Sequence, residues 1–232
     1  MVSRYTRFMR TLLSLAALLV GAVASAAEPT FTPLFNGKNF DGWQCYSRET
    51  KDAPTKLVEP GGTWTIEADG VLKCTGKPTG FLVTKAEHAD YTLQLQWRYP
   101  KELKAGNGGV LVHCQKGNVV WPVCLEAQLR SGRAGDIWLQ TAADVKLTVP
   151  AARRDADDKT MRHIWRDPRD GDIEKPFGEW NDLEVKCTGG AIAIRVNGKL
   201  VNEGTDGNLK SGRIALQSEG VEMHFRNIRI AK

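Results

Sequence analysis

The chain has 232 residues and a mass of 25.6 kDa, with 41% hydrophobic and 25% charged residues, proportions of a folded domain that exclude wholesale disorder. Its 23 glycines and 10 prolines make it rich in turns without a collagen-like or low-complexity pattern. The formal charge of +5 invites a polyanionic partner, but that number must be corrected for where the charges lie.

Arg4, Arg7 and Arg10 stand ahead of an apolar run over residues 11–20, and small residues then lead to Ala24-Ser25-Ala26. A basic start, a short apolar stretch and an Ala-x-Ala site read as a secretory signal, residues 1–26, that is cleaved. The run is too short and too poorly flanked for a good membrane span, and no cysteine at the cleavage site indicates a lipid anchor. Without those three arginines the 32 basic residues fall to 29 against 27 acidic ones, about +2. The expectation is a single exported domain over residues 27–232, periplasmic or extracellular, with no nucleic-acid partner and no membrane attachment after cleavage.

Along that domain the dominant pattern is period-2 alternation. Tyr91, Leu93, Leu95, Trp97 and Tyr99 share one face, with Thr92, Gln94, Gln96 and Arg98 on the other. Residues 109–115 place Val110, Val112 and Cys114 together, opposite Leu111 and His113. Residues 123–129 place Val123, Leu125, Ala127 and Leu129 together, opposite Cys124, Glu126 and Gln128. Residues 151–177 are Arg/Asp-rich with Pro168 and Pro176, and read as a long surface excursion of the functional kind. Leu183, Val185 and Cys187 alternate with Glu184 and Lys186. Ile192, Ile194 and Val196 run into Asn197-Gly198, a hairpin-turn dipeptide. The last strand begins with Val221, Met223 and Phe225 inward and ends with Ile228 and Ile230, so its phase slips at Arg226-Asn227, as a bulge would make it. No segment after the signal keeps a helical period, and the class is all-β, a sandwich or barrel.

Five cysteines, Cys45, Cys74, Cys114, Cys124 and Cys187, leave at least one thiol unpaired in the chain. Their spacing is not that of a zinc site. Cys114 and Cys124 look like partners across a hairpin, yet alternation assigns them to opposite faces, and the pairing stays open.

Several short motifs then occur in order: Phe35-Asn-Gly-Lys-Asn-Phe-Asp-Gly-Trp43, Asn107-Gly-Gly-Val110, Glu126-Ala-Gln128, Gly135-Asp-Ile-Trp138, Gly178-Glu-Trp-Asn181, Gly212-Arg-Ile-Ala-Leu-Gln217 and Phe225-Arg-Asn-Ile228. Together they resemble the 3-keto-disaccharide hydrolase domain family over nearly the whole mature chain. The resemblance implies a concanavalin/laminarinase-like jelly roll, two curved antiparallel sheets whose concave outer face or rim holds sugar. It also implies export and action on glycosides whose glucosyl unit has been oxidised at C3. This chain departs from the family at Gly108, where a serine is frequent, at His113, where an arginine is common, and at Gln96, where an acid is frequent.

Conventional glycosidases flank the scissile bond with two carboxylates. The candidate strand offers Glu126 and then an amide, Gln128, so double displacement is poorly supported. A 3-keto sugar needs less, because its ketone acidifies the hydrogen at C2. One base can remove that proton, the C1 substituent leaves by β-elimination, and water adds back. Alternation puts Glu126 and His113 on the same non-core face. Glu126 is the candidate base, with His113 or a bound cation polarising the carbonyl. A divalent cation held by His113, Glu126 and a loop residue suits that chemistry, although no ligand spacing specifies one and no other cofactor is evident. Gln128 and Asn107 are candidates for sugar hydroxyls, Trp138 and Trp165 for stacking on the ring, and His163 for a contact from the excursion. Trp43, Trp64, Trp97 and Trp180 are expected to pack, and His88 and His224 to be structural or exposed. The competing reading is a non-catalytic, lectin-like carbohydrate-binding module; a two-carboxylate endo-glucanase comes third. The partner is a sugar in either case, and the sequence is silent on oligomeric state.

Overall fold

The structure is a computed structural model that describes residues 29–117, 119–141, 145–160 and 162–232. The expected signal, residues 1–26, lies outside them. Among the described residues sixteen strands follow one another. They are β1 (Thr32–Pro33), β2 (Trp43–Arg48), β3 (Lys56–Val58), β4 (Trp64–Ile66), β5 (Leu72–Cys74), β6 (Thr79–Thr84), β7 (Tyr91–Arg98) and β8 (Gly109–Cys114) in the first half. The second half adds β9 (Cys124–Gln128), β10 (Ile137–Gln140), β11 (His163–Ile164), β12 (Asn181–Thr188), β13 (Ala191–Val196), β14 (Lys199–Gly204), β15 (Arg213–Ser218) and β16 (Met223–Ala231). Two short 3-10 turns, Ala151–Arg153 and Pro168–Asp170, are the helical content of the described residues, and no helix among them is long and apolar enough to cross a membrane.

The strands form two eight-stranded antiparallel sheets. The back sheet runs β14-β13-β12-β7-β16-β5-β4 with β1 beside β16, and the front sheet runs β11-β10-β9-β8-β15-β6-β2-β3. Neighbours far apart in sequence, such as β7 beside β16 and β8 beside β15, come from crossovers between the sheets.

The back sheet obeys the simple rule of one face inward and one toward water. In β7, Tyr91, Leu93, Leu95 and Trp97 are buried, and the intervening polar residues are half-exposed. These side chains meet Val110, Val112, Leu125, Ala127, Ile137, Ile214 and Leu216 of the front sheet in the main core. The front sheet buries both faces. A second cluster of Phe81, Val83, Leu111, Cys114, Cys124 and Ala215 covers its outer side, with Tyr46, Val120 and Trp121 packed against it.

Two irregularities decide which side chains reach that outer side. Asn227 adopts φ 54° and the β16–β7 register shifts between Arg226 and Arg229, so the phase slip is a bulge. The other was not visible in the sequence. His113 adopts φ 53° at a register shift between β8 and β15, which turns its ring inward and carries Cys114 to the outer face. The expected grouping of Cys114 with Val110 and Val112 is therefore corrected. Cys114 and Cys124 share a face, and both are free thiols. The Asn197-Gly198 turn has φ 49° and 83°, the left-handed pair that a tight hairpin between β13 and β14 requires.

The excursion over residues 151–177 is more built than its composition suggests. Its β11 pairs with β10, Ile164 is fully buried, and Ile173 and Phe177 pack on the main core.

Candidate active site

Glu126 sits at the centre of β9 with its side chain on the outer face of the front sheet. Cross-strand pairing aligns it with Trp138 of β10 on one side and Leu111 of β8 on the other, and Trp138 in turn with His163 of β11. Gln128 lies two residues along on the same face. The alternation reading of Glu126, Gln128 and Trp138 thus matches the register.

Room for the carboxylate comes from a missing side chain. A Cβ at Gly109 would lie 2.5 Å from Glu126 Oε1 and 2.8 Å from Gln217 Oε1, whereas one at Gly108 would meet Met223 Sδ at 2.3 Å. Both glycines of Asn107-Gly-Gly-Val110 are therefore fixed by close approach, one to the carboxylate and one to the core.

Glu126 is only 2% exposed. Burial pushes its carboxyl up to about 7, against a hydrogen bond from Gln140, with repulsion from Glu219 adding to the rise. Gln140 Nε2 donates to Oε2 at 2.5 Å, and the Gln217 amide adds a second hydrogen bond. Glu219 continues the β15 alternation two residues past Gln217, and burial raises its carboxyl too. A second acid therefore stands within electrostatic reach of Glu126, just past the end of a different strand. A search for two acids on one strand misses it, as it misses Gln140 and Gln217, because those side chains meet only through strand pairing.

At the end of the row lies a cleft of about 520 Å³, lined by Gln128, Arg130, Arg133, Asp136, Trp138, His163 and Trp165 among others. His163 stacks on Trp138 with centroids 4.2 Å apart at 9°, and Trp165 meets it edge-on at 4.0 Å. Its Nδ1 bonds Asp155 Oδ2 at 2.9 Å and its Nε2 bonds Asp136 Oδ2 at 3.0 Å. Burial alone would lower the imidazole pKa, but the two carboxylates outweigh it and raise the value. With both nitrogens engaged and 6% exposure, His163 contributes to the cleft lining and supports the Trp138 ring.

Gln128 spends its Oε1 on the backbone N–H groups of Leu129 and Arg130, at 3.0 and 2.9 Å, which leaves its NH2 group uncommitted. Asn107 is half-buried beside the cleft, in a loop tied to residues 129–131 by Leu129 N–H to Gly108 O and Ser131 N–H to Gly106 O.

His113 is not with them. It bonds Leu209 O at 2.8 Å and Ala89 O at 3.1 Å, with its ring edge on Tyr91, inside the sandwich. The bulge described above is the reason. It removes the expected shared face with Glu126, and with it the expected cation site; among the described residues no three His, Cys, Asp or Glu side chains are grouped to hold a metal ion. His88 is buried edge-on to Tyr91, and His224 lies between Arg98 and Glu222. Trp43, Trp64 and Trp97 pack in the core as expected, whereas Trp180 lies on the back of the molecule between two guanidinium groups.

Residues 30–231 match the sequence profile of the family described as the 3-keto-alpha-glucoside-1,2-lyase-like domain. A 3-keto-disaccharide hydrolase of Bacteroides thetaiotaomicron is 26% identical over 246 aligned positions, covering 86% of this chain and 77% of that protein. A candidate glycosyl hydrolase of Parabacteroides distasonis, known as a crystal structure, superposes with a TM-score of 0.59 at 24% identity over 88% of this chain and 99% of that one. The β-glucanase of Bacillus licheniformis superposes at 0.51 with 11% identity over 90% and 100%, so the two-sheet arrangement is that of the jelly-roll glucanases.

Proposed function

The chain belongs to the family of 3-keto-alpha-glucoside-1,2-lyase-like domains, and on that premise we propose that it cleaves 3-keto-glycosides by elimination and hydration, with Glu126 as base. The observation that carries the proposal is the state of Glu126: nearly full burial, two amide partners, and a carboxyl at about 7 on a row that ends in an aromatic cleft. A base poised near neutrality takes up and releases a proton readily.

The 3-keto sugar stacks on the Trp138 and Trp165 side of the cleft with C2 toward Glu126. Glu126 removes the C2 proton, and the C–H electrons pass to the C3 oxygen as an enolate. The free NH2 of Gln128 donates to that oxygen, the role first expected of His113 or a cation. The enolate collapses, C1=C2 forms and the C1–O bond breaks. Glu219, just past the end of β15, protonates the departing oxygen. Water then adds its oxygen to C1, the proton held by Glu126 returns to C2, and the second proton of the water restores Glu219. The net change is one glycoside and one water to one free 3-keto sugar and one alcohol. Asn107 serves a hydroxyl at the rim. The leader pattern of residues 1–26 supports action after export, in the periplasm or outside the cell.

Incubation with a 3-keto-disaccharide and with its unoxidised parent tests this. Product is expected only from the keto form, and Glu126→Gln should lower kcat/KM by roughly 10²–10⁴-fold with folding intact. Cleavage of the parent, or an active Glu126→Gln variant, overturns the mechanism. Binding of either sugar without cleavage selects the lectin-like reading, which the Trp138–Trp165 wall would also serve.

A further inference from the structure

We propose that the outer face of the back sheet is a second carbohydrate site, specific for acidic oligosaccharides such as uronate oligomers and separate from the Glu126 face. The two lie on opposite sides of the sandwich, and this inference does not depend on the proposed reaction.

A groove of about 1340 Å³ runs over the outer faces of β16, β7, β12 and β13. The turns at Asn36–Lys38 and Ala68–Val71 wall one side, and the Asn197-Gly198 hairpin contributes to its lining. Two parallel relays cross its floor. In one, Arg229 Nε donates to Gln94 Oε1 at 3.0 Å, Gln94 Nε2 to Glu184 Oε2 at 2.8 Å, and Arg195 Nη1 to Glu184 Oε1 at 3.2 Å. In the other, Arg226 Nε donates to Gln96 Oε1 at 2.7 Å, and Gln96 Nε2 to Asp182 Oδ1 at 2.7 Å.

Each relay spends its β16 arginine only at Nε. The terminal Nη pairs of Arg226 and Arg229 have no protein acceptor in the described structure. Their planes are held in place: Arg226 stacks on Trp180 at 4.2 Å and Arg229 on Phe31 at 4.9 Å. A fixed guanidinium with two free N–H donors is built for a carboxylate or sulfate oxygen pair. The arginines pair with Gln96 and Gln94, two residues apart on β7, so the two forks stand about 7 Å apart along the strand. One ligand carrying two anionic groups can engage both.

The acids of the same floor choose between polyanions. Asp182 and Glu184 line the groove beside the arginines. A phosphodiester chain and a uronate oligomer both carry one charge per unit and are repelled alike by these acids, but a uronate ring offsets that repulsion with hydroxyls that donate to the carboxylates, which the backbone of a DNA strand lacks. Arginine forks interleaved with carboxylates and amides match a ligand that alternates carboxylates with hydroxyls.

The test is calorimetric titration of the full chain with tetragalacturonate, with maltotetraose as the neutral control and a short single-stranded DNA oligonucleotide as the phosphate control. Tetragalacturonate should bind, the two controls should bind at least tenfold more weakly, and added salt should weaken the interaction. Arg226→Met with Arg229→Met should weaken tetragalacturonate binding at least tenfold while keeping the aliphatic stems. Arg229→Gln, at an exposed position, gives the same readout with less risk to the fold. Glu126→Gln should leave this binding unchanged. Equal binding of maltotetraose or the oligonucleotide, undiminished affinity in both arginine variants, or loss of binding in Glu126→Gln would each overturn the proposal.

Discussion

The raised carboxyl of Glu126, on which its proposed role as base rests, comes at the expense of stability, and the two can be measured together. The folded protein holds that proton up to about 7, whereas an ordinary glutamate releases it near 4.5. Between those values the native state binds more protons than the unfolded chain, so stability falls as pH rises through the window, by about 3 kcal/mol in all. Glu126→Gln removes the penalty, and its melting temperature should exceed that of the parent above pH 7, with the gain fading toward pH 4.5. Thermal melts across that range check it; a variant that melts lower at pH 8 contradicts the buried, strained carboxylate. Activity should rise with pH through about 7 as Glu126 ionises, and fall again once Glu219 loses the proton it must donate. Gln140→Leu deletes the hydrogen bond that holds the carboxyl down, so the rising midpoint of the pH–kcat/KM profile should move upward, while Glu219→Gln should move it downward. At this scale the position of Glu126 was legible in the sequence, because period-2 alternation assigns faces within a strand. Its partners were not, since Gln140, Gln217 and Glu219 reach it from strands 14 or more positions away.

Alternation was most reliable where one face of a strand meets water. In the back sheet the chemical contrast of β7 and β12 is sharp, and the predicted faces match residue by residue. In the front sheet β8 and β9 are buried on both faces, so polarity no longer marks the face and a one-residue slip leaves no trace in composition. That is how His113 was misplaced. The bulge in β16 was detectable because two apolar runs fell out of phase there; the one in β8 comes too close to the strand end to leave such a record. His113 bridges the backbone carbonyls of Leu209 and Ala89, so His113→Ala should cost about 1–3 kcal/mol of stability, read by denaturant melts, and leave kcat/KM within a few-fold at a temperature where it folds. A 100-fold loss in a folded variant would return His113 to the reaction. Gly109→Ala is the counterpart at the glycine pair. Its methyl would strike the Glu126 carboxylate, so activity should fall by at least tenfold, with about 1–3 kcal/mol of destabilisation.

At the scale of the molecule, a clamp ties the excursion to the front sheet. Asp136 precedes β10 in the chain, Asp155 belongs to the excursion, and His163 bonds both while supporting Trp138. The raised imidazole pKa means that the native state binds this proton more tightly than the unfolded chain. The stabilisation is complete below about 6.5 and is lost as pH rises through the folded value. Asp155→Asn should therefore lower the melting temperature most at pH 6, with the difference from the parent shrinking toward pH 9. A pH-independent difference would show that the charge on His163 contributes nothing. The sequence marked residues 151–177 as functional from composition, but the strand inside it has only two residues, too few to show any period.

The five cysteines described above bear on how the protein can be made. All are buried and unpaired, and burial pushes the thiols of Cys45 and Cys187 up to about 12 and that of Cys74 to about 11, where almost none is thiolate at neutral pH. A sandwich whose sheets close over a continuous apolar core needs no covalent cross-link to hold them together. Production of residues 27–232 in a reducing bacterial cytosol, and storage with a thiol reductant, are both compatible with the native arrangement.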